Sequence, residues 1–299
     1  MIGKLSVNPI LKKDVLVNSR NSKMAMTITL INILFSFIVI MIFLINRGEM
    51  YQAYYANIAS MFPVLAMCEI GIIGLIMPII TSTSVSGERE RQTLDIMLTT
   101  PIKPFSIVAG KLFSAMVTTF MYVIATLPFL AVSFVVGGLE WTALFKYVLM
   151  ILFIDIYIGS IGVFFSCVKR TSVSAAVSTI VTFAAVVLIT YALGNAFESM
   201  MYNMVSDQSG YEFYMTGKAV FFAVNPVIWI VSAYSGMTGD MSLMEGMTGY
   251  GRYSDFIVEH LGAICVCVNL CVSFVLIRLA ACRLRSGIKK KKIKVQNDL

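Results

Sequence analysis

The sequence predicts an all-α integral membrane protein with six transmembrane helices, a charged cytoplasmic helix between spans 2 and 3, and an outer re-entrant or surface helical segment between spans 5 and 6. Three observations lead there. Hydrophobic residues make up 58% of the 299-residue chain and charged residues only 13%, with a strongly positive mean hydropathy, far from the balance of a soluble domain. Six apolar runs each reach about 20 residues or more, the length a helix needs to cross hydrocarbon. Lysine and arginine gather in alternate connecting segments, which orients the spans.

The elements follow in order. Residues 1–23 form a basic leader with Lys4, Lys12, Lys13, Arg20 and Lys23; Asn8 and Pro9 suit a cap and first turn, and Ile10, Leu11 and Val15 the apolar side of a short surface helix. No small-residue cleavage site follows the first apolar run, so the leader is expected to remain. Residues 24–299 read as one transmembrane domain with spans at Met24 to Ile45, Ala56 to Ile80, Val108 to Val136, Leu144 to Val168, Val173 to Leu193 and Phe256 to Leu279. The outer segment 194–255 contains "AVFFAVNPVIWIVSAY", Ala219 to Tyr234, which is short for a crossing and holds Pro226. A seventh span would also send the basic tail, 280–299 with its "KKKKIK", to the outside. Six spans leave both termini cytoplasmic.

The net charge of +7 lies mostly beside the spans, where it meets anionic lipid headgroups, and nucleic acid is not expected as a partner. Four of the six cysteines (Cys68, Cys265, Cys267, Cys271) fall within spans and Cys167 and Cys282 near span ends, so no disulfide framework is implied. Cys267 and Cys271 share a helix face but read as packing residues. The methionines of the outer segment (Met200, Met201, Met204, Met215, Met237, Met241, Met244, Met247) raise a soft copper(I) site, against which flexible packing is the better reading. No metal is expected. Catalytic motifs are absent, the single histidine is His260, and "FSIVAGKLF" has Phe105 and Leu112 where a phosphate-binding loop needs glycine and a hydroxyl. An enzyme is not expected, and neither is a cofactor in this chain.

The charged stretch "SGERERQTLDIMLTTPIKP", Ser86 to Pro104, reads as one helix with Ser86 as cap, Glu88 and Glu90 at the positive end of the dipole, Arg91 and Asp95 paired, and Pro101 as its stop. Leu94, Met97 and Leu98 give it a narrow apolar stripe. The same residues resemble the E-x-E-x-x-T-L-x-x-L-L-x-x-P-[IV] signature of ABC-2 type permeases, with Met97 in the double-leucine position. The Asn-Pro leader, six spans and the long outer segment with its own Asn-Pro extend the resemblance along the chain.

That resemblance implies a coupling helix docked into a separate ATP-binding cassette ATPase, which holds ATP and Mg, and a transporter of two permeases and two ATPases in the cell membrane, with export as the expected direction. By position, Glu88, Glu90, Thr93, Leu94, Met97, Leu98 and Pro101 are the ATPase-coupling residues, and Lys111 marks the entry to span 3. Small-residue faces at Gly71 with Gly74, Gly159 with Gly162, and Ser174, Ser178 and Thr182 suit close contact with the second permease copy. Glu69 and Asp155 lie at mid-span, where a carboxylate must face water, bond to a group such as Ser160, or be protonated. They read equally as structural hydrogen bonds across helices or as the candidate translocation path for a cation or proton. The alternative class is a secondary transporter or ion channel that uses these two acids and needs no ATPase.

Overall fold

The computed structural model describes residues 22–45, 61–94, 103–137, 141–202, 220–227, 230–231 and 255–297. Its helices are α1 Ser22–Ile45, α2 Met61–Ser82, α3 Ser86–Glu90, α4 Pro104–Gly137, α5 Trp141–Val168, α6 Ser172–Tyr202 and α7 Asp255–Asn297. Six of them contain a stretch long and apolar enough to cross a membrane, and no strand occurs among the described residues. The chain is a multi-pass, all-helical membrane protein.

Several boundaries differ from the sequence reading for identifiable reasons. Helix α4 starts at Pro104, ahead of the apolar run, because proline's fixed φ and missing N–H suit a first helical turn. Helix α6 continues through Gly194 to Tyr202, so the segment read as the start of the outer loop is still helix. Helix α7 runs 43 residues, about 65 Å at 1.5 Å per residue, and carries the basic tail as its own continuation. The leader, the methionines from Met204 to Met247 and most of the outer segment lie outside the described residues.

Helix α5 is the centre of the bundle. It touches α2, α4, α6 and α7, and 61% of its apolar window is buried, against 11% for α1 and α6. Lipid tails are as apolar as leucine, so close packing and polar bonds, not water exclusion, must hold these helices together. Helices α5 and α2 approach closely at two glycines. A Cβ on Gly162 would overlap the Thr81 hydroxyl and come within 2.8 Å of the Thr81 Cβ; one on Gly159 would overlap the Met77 methyl and meet Leu112 Cδ1 at 2.5 Å. Gly159 and Gly162 therefore serve the interior of one protomer, not the contact between copies expected from sequence. Gly71 and Gly74 face open space.

The described part of the outer segment packs inward. Asn225 accepts a bond from the Val227 N–H at 2.9 Å, an Asn cap with Pro226 in the first turn, and its Nδ2 donates to the Val187 carbonyl of α6 at 3.1 Å. Phe222 stacks on Tyr191 at 6.3 Å and fills the space over Gly194. At the opposite end of the bundle, Arg278 of α7 lies 5.0 Å from the rings of both Phe105 and Phe274, which ties α7 to the start of α4.

The α2/α5 crossing yields a prediction. Gly162→Ala should lower stability by about 1–3 kcal/mol, the usual cost of overpacking, measured as a lower unfolding midpoint in detergent. Thr81→Ala in the same chain should restore part of it, since the nearest obstructing atom goes and the Thr81 Cβ stays.

Candidate functional site

The charged stretch begins where α2 ends, and the chain turns there without leaving polar backbone exposed to hydrocarbon. Ser166 of α5 does this. Its hydroxyl accepts from the N–H groups of Val85 (2.9 Å) and Ser86 (3.0 Å) and donates to the Ser82 carbonyl at 2.7 Å, so one side chain satisfies both sides of the turn. Ser86 is not the helix cap expected from sequence. Val85 holds that position without a side-chain cap bond, and the Ser86 hydroxyl donates back to the Ser82 carbonyl. Ser166 has taken over the capping role from across the bundle.

The expected single helix to Pro101 also breaks. Helix α3 ends at Glu90, Gln92 adopts φ 60°, and the N–H groups of Gln92 and Thr93 bond back to the carbonyls of Arg89 (3.1 Å) and Glu88 (2.9 Å). This is a Schellman ending with glutamine where glycine is usual. Sequence reading missed it because nothing in "ERERQTL" signals a left-handed residue. Asp95, Met97, Leu98 and Pro101 lie outside the described residues.

The three consecutive charges of this turn each reach a different helix. Glu88 forms an ion pair with Lys111 of α4, Oε1 to Nζ 2.6 Å, with only 24% and 9% of the two side chains exposed. Arg89 donates to the carbonyls of Cys167 (3.1 Å) and Lys169, capping the C-terminus of α5. Glu90 accepts from the Ser172 backbone N–H at 2.7 Å and its hydroxyl at 2.8 Å, capping the N-terminus of α6. These two donors, the backbone one first, hold the exposed Glu90 carboxyl below the usual carboxylate range. A cation at a helix C-terminus and an anion at a helix N-terminus both match the helix dipoles.

Leu94 does not belong to an exposed stripe. It is buried, at 9% exposure, and part of the protein's own core. Arg91, Gln92 and Thr93, which follow the exposed Glu90, are exposed as well.

The mid-span acids are distant in sequence from their partners, and those partners are hydroxyls. Glu69 on α2 accepts from Thr126 of α4 at 2.5 Å and from Tyr147 of α5 at 2.8 Å. Asp155 on α5 accepts from Thr119 of α4 at 2.5 Å, and its other oxygen is buried without a partner among the described residues. Ser160, the partner expected from sequence, bonds within its own helix to the Tyr157 carbonyl. Thr119 and Thr126 are seven residues apart and so share one face of α4. A cavity of about 10 Å³ beside Glu69, Thr119 and Thr126, walled by α1 residues Ile31 and Phe35, has room for one water.

Comparison with family models matches residues 9–278 to the family described as ABC-2 family transporter protein. No curated protein matches the chain.

The hydroxyl partners of Glu69 can be tested singly. Thr126→Val and Tyr147→Phe should each destabilise the protein by about 1–3 kcal/mol, the cost of leaving a buried acceptor without its donor, read as a lower thermal unfolding midpoint. Introducing either change into a Glu69→Leu background should cost less, because the acceptor is already gone.

Proposed function

The chain belongs to the ABC-2 transporter family, and from that premise we propose that it is the permease subunit of an exporter whose ATP and Mg are held by a separate ATP-binding cassette subunit. An ABC transporter permease follows from the family and the six apolar helices; the direction of transport, the ATPase, the second copy and the cytoplasmic orientation of the charged end are our reading. One observation carries it. The short turn α3 is bonded to Lys111 in the second turn of α4 and to the ends of α5 and α6, and follows α2 directly in the chain, so displacement of this one turn acts on four spans. A subunit that converts a partner's ATP-driven closure into movement of its own spans needs such a point. No residue here is assigned a catalytic role.

Arg91, Gln92 and Thr93 are the side chains this end offers to the ATPase. A second copy is expected on α1 and α6, whose large side chains such as Ile33, Phe37 and Val177 the rest of the protomer leaves uncovered. The substrate path then lies between copies. Glu69 and Asp155, bonded to hydroxyls within one protomer, act as joints between α2, α4 and α5 in this reading.

Two experiments test it. Arg91→Glu combined with Gln92→Glu should weaken co-purification with a co-expressed ABC ATPase by about tenfold or more, equivalent to roughly 1.4 kcal/mol, with the permease's own melting temperature unchanged. Full retention of the ATPase would remove these residues from the docking surface. In a cysteine-free background, a cysteine at Ile293 should resist an impermeant thiol reagent in intact cells while one at Asp207 reacts; the reverse pattern would overturn the orientation.

A further inference from the structure

The charges Glu88, Arg89 and Glu90 invite assignment to the ATPase interface, since they form the most charged turn of the chain and lie next to the exposed tip. Their geometry says otherwise. Each is bonded inside the protomer: Glu88 through Oε1 to Lys111, its Oε2 buried without a partner among the described residues, Arg89 to two carbonyls at the end of α5, and Glu90 to two donors at the start of α6. Committing an ion to an internal partner leaves it little to give a second protein, because the new contact must first break the old one.

We propose that Glu88, Arg89 and Glu90 are positioning residues that form a three-way clamp, joining the α3 turn to α4, α5 and α6 so that these helix ends move together, while the ATPase docks on the neighbouring exposed tip. This rests on the permease reading above and deepens it. The physical case has three parts. The partners lie on three different helices, so no two of the contacts are redundant. Two of the three cap helix termini, where orphan N–H and C=O groups give direction as well as attraction, and the third is a short, largely buried ion pair. The turn itself has little freedom of its own. Ser166 fixes its entry with three hydrogen bonds, and the Schellman bonds at Gln92 and Thr93 close its exit. A five-residue helix held at both ends and on three sides transmits displacement instead of absorbing it.

The clamp separates two properties that a docking surface would lose together. In the full chain assembled with its ATP-binding subunit in nanodiscs of phosphatidylethanolamine and phosphatidylglycerol, a spin label at the exposed Val173 reports the distance between the α6 starts of two copies. The native complex should show a change in that distance on trapping with ATP and vanadate. Glu88→Gln, Arg89→Gln and Glu90→Gln should each keep the ATPase bound and lose the change; the paired exchange Glu88→Lys with Lys111→Glu should restore it over Glu88→Lys alone. Release of the ATPase by the Gln variants would place the triplet in the docking surface and overturn the clamp. So would Gln variants with the native distance change, a native complex with no change at Val173, or misfolding that the paired exchange fails to rescue. Failure of the permease reading looks different, because the native chain would then retain no ATPase at all.

Discussion

One face of α5 organises the molecule. Asp155, Gly159, Gly162 and Ser166 follow one another at intervals of four, three and four residues, the spacing of a single helical face. That face lies in the groove between α2 and α4. Asp155 is bonded to Thr119, the two glycines admit Met77, Leu112 and Thr81, and Ser166 takes the α2–α3 turn. Hydrocarbon offers no partner to a polar group and no penalty to an apolar one, so position is specified where hydroxyls, carboxylates and backbone meet, and by glycines that let them meet. The glycines and Ser166 work as a unit: had α2 and α5 been held a methyl group further apart, the Ser166 hydroxyl would lie beyond reach of two N–H groups it now serves.

This seam explains why a strongly charged turn sits so close to the bundle. With the turn held against α5, Arg89 is brought to the carbonyls that α5 leaves open at its C-terminus and Glu90 to the N–H that α6 leaves open at its start. The link between α5 and α6 is only three residues, which puts a negative and a positive helix end side by side. An Arg-Glu pair adjacent in sequence fits that arrangement as its electrostatic complement, and Thr171 completes the α6 start by accepting the Ser174 N–H at 3.4 Å. Charges that look like a binding epitope in one dimension are helix caps in three.

Much of the fold was legible in the chain because hydrophobic length and lysine and arginine placement act locally. The six spans were found, with errors at their ends where α6 and α7 outrun their apolar cores. The site was only partly legible. Glu88, Glu90 and Lys111 stood out by pattern, yet their pairing joins residues separated by 23 or 82 positions, and no local rule reports that. Leu94 fits an apolar stripe equally well whether the stripe faces a partner or the protein's own core, and only packing decides. The Gln92 turn was invisible because glutamine rarely adopts positive φ. Ser166 carried a signal that could have been read: a serine four residues beyond Gly162 and seven beyond Gly159 lies on the face that those glycines open.

The buried acids fit the same logic and locate where movement can occur. Glu69 joins α2 to α4 and α5, and Asp155 joins α5 to α4, two turns of α4 apart. Below them the glycine crossing and Ser166 repeat the α2–α5 connection toward the charged end. Helices α2, α4 and α5 are therefore fastened at three depths, which makes relative sliding among them expensive: any shift breaks several buried hydrogen bonds at once. Helices α1 and α6 differ, being largely uncovered along their length, with α6 tied firmly at its start through Ser172 and at Val187 through Asn225. Under the proposed clamp, displacement of α3 carries the α2, α4 and α5 body as one piece and swings α6 from Ser172, so the opening that transport requires falls on the uncovered helices α1 and α6, where we propose the second copy.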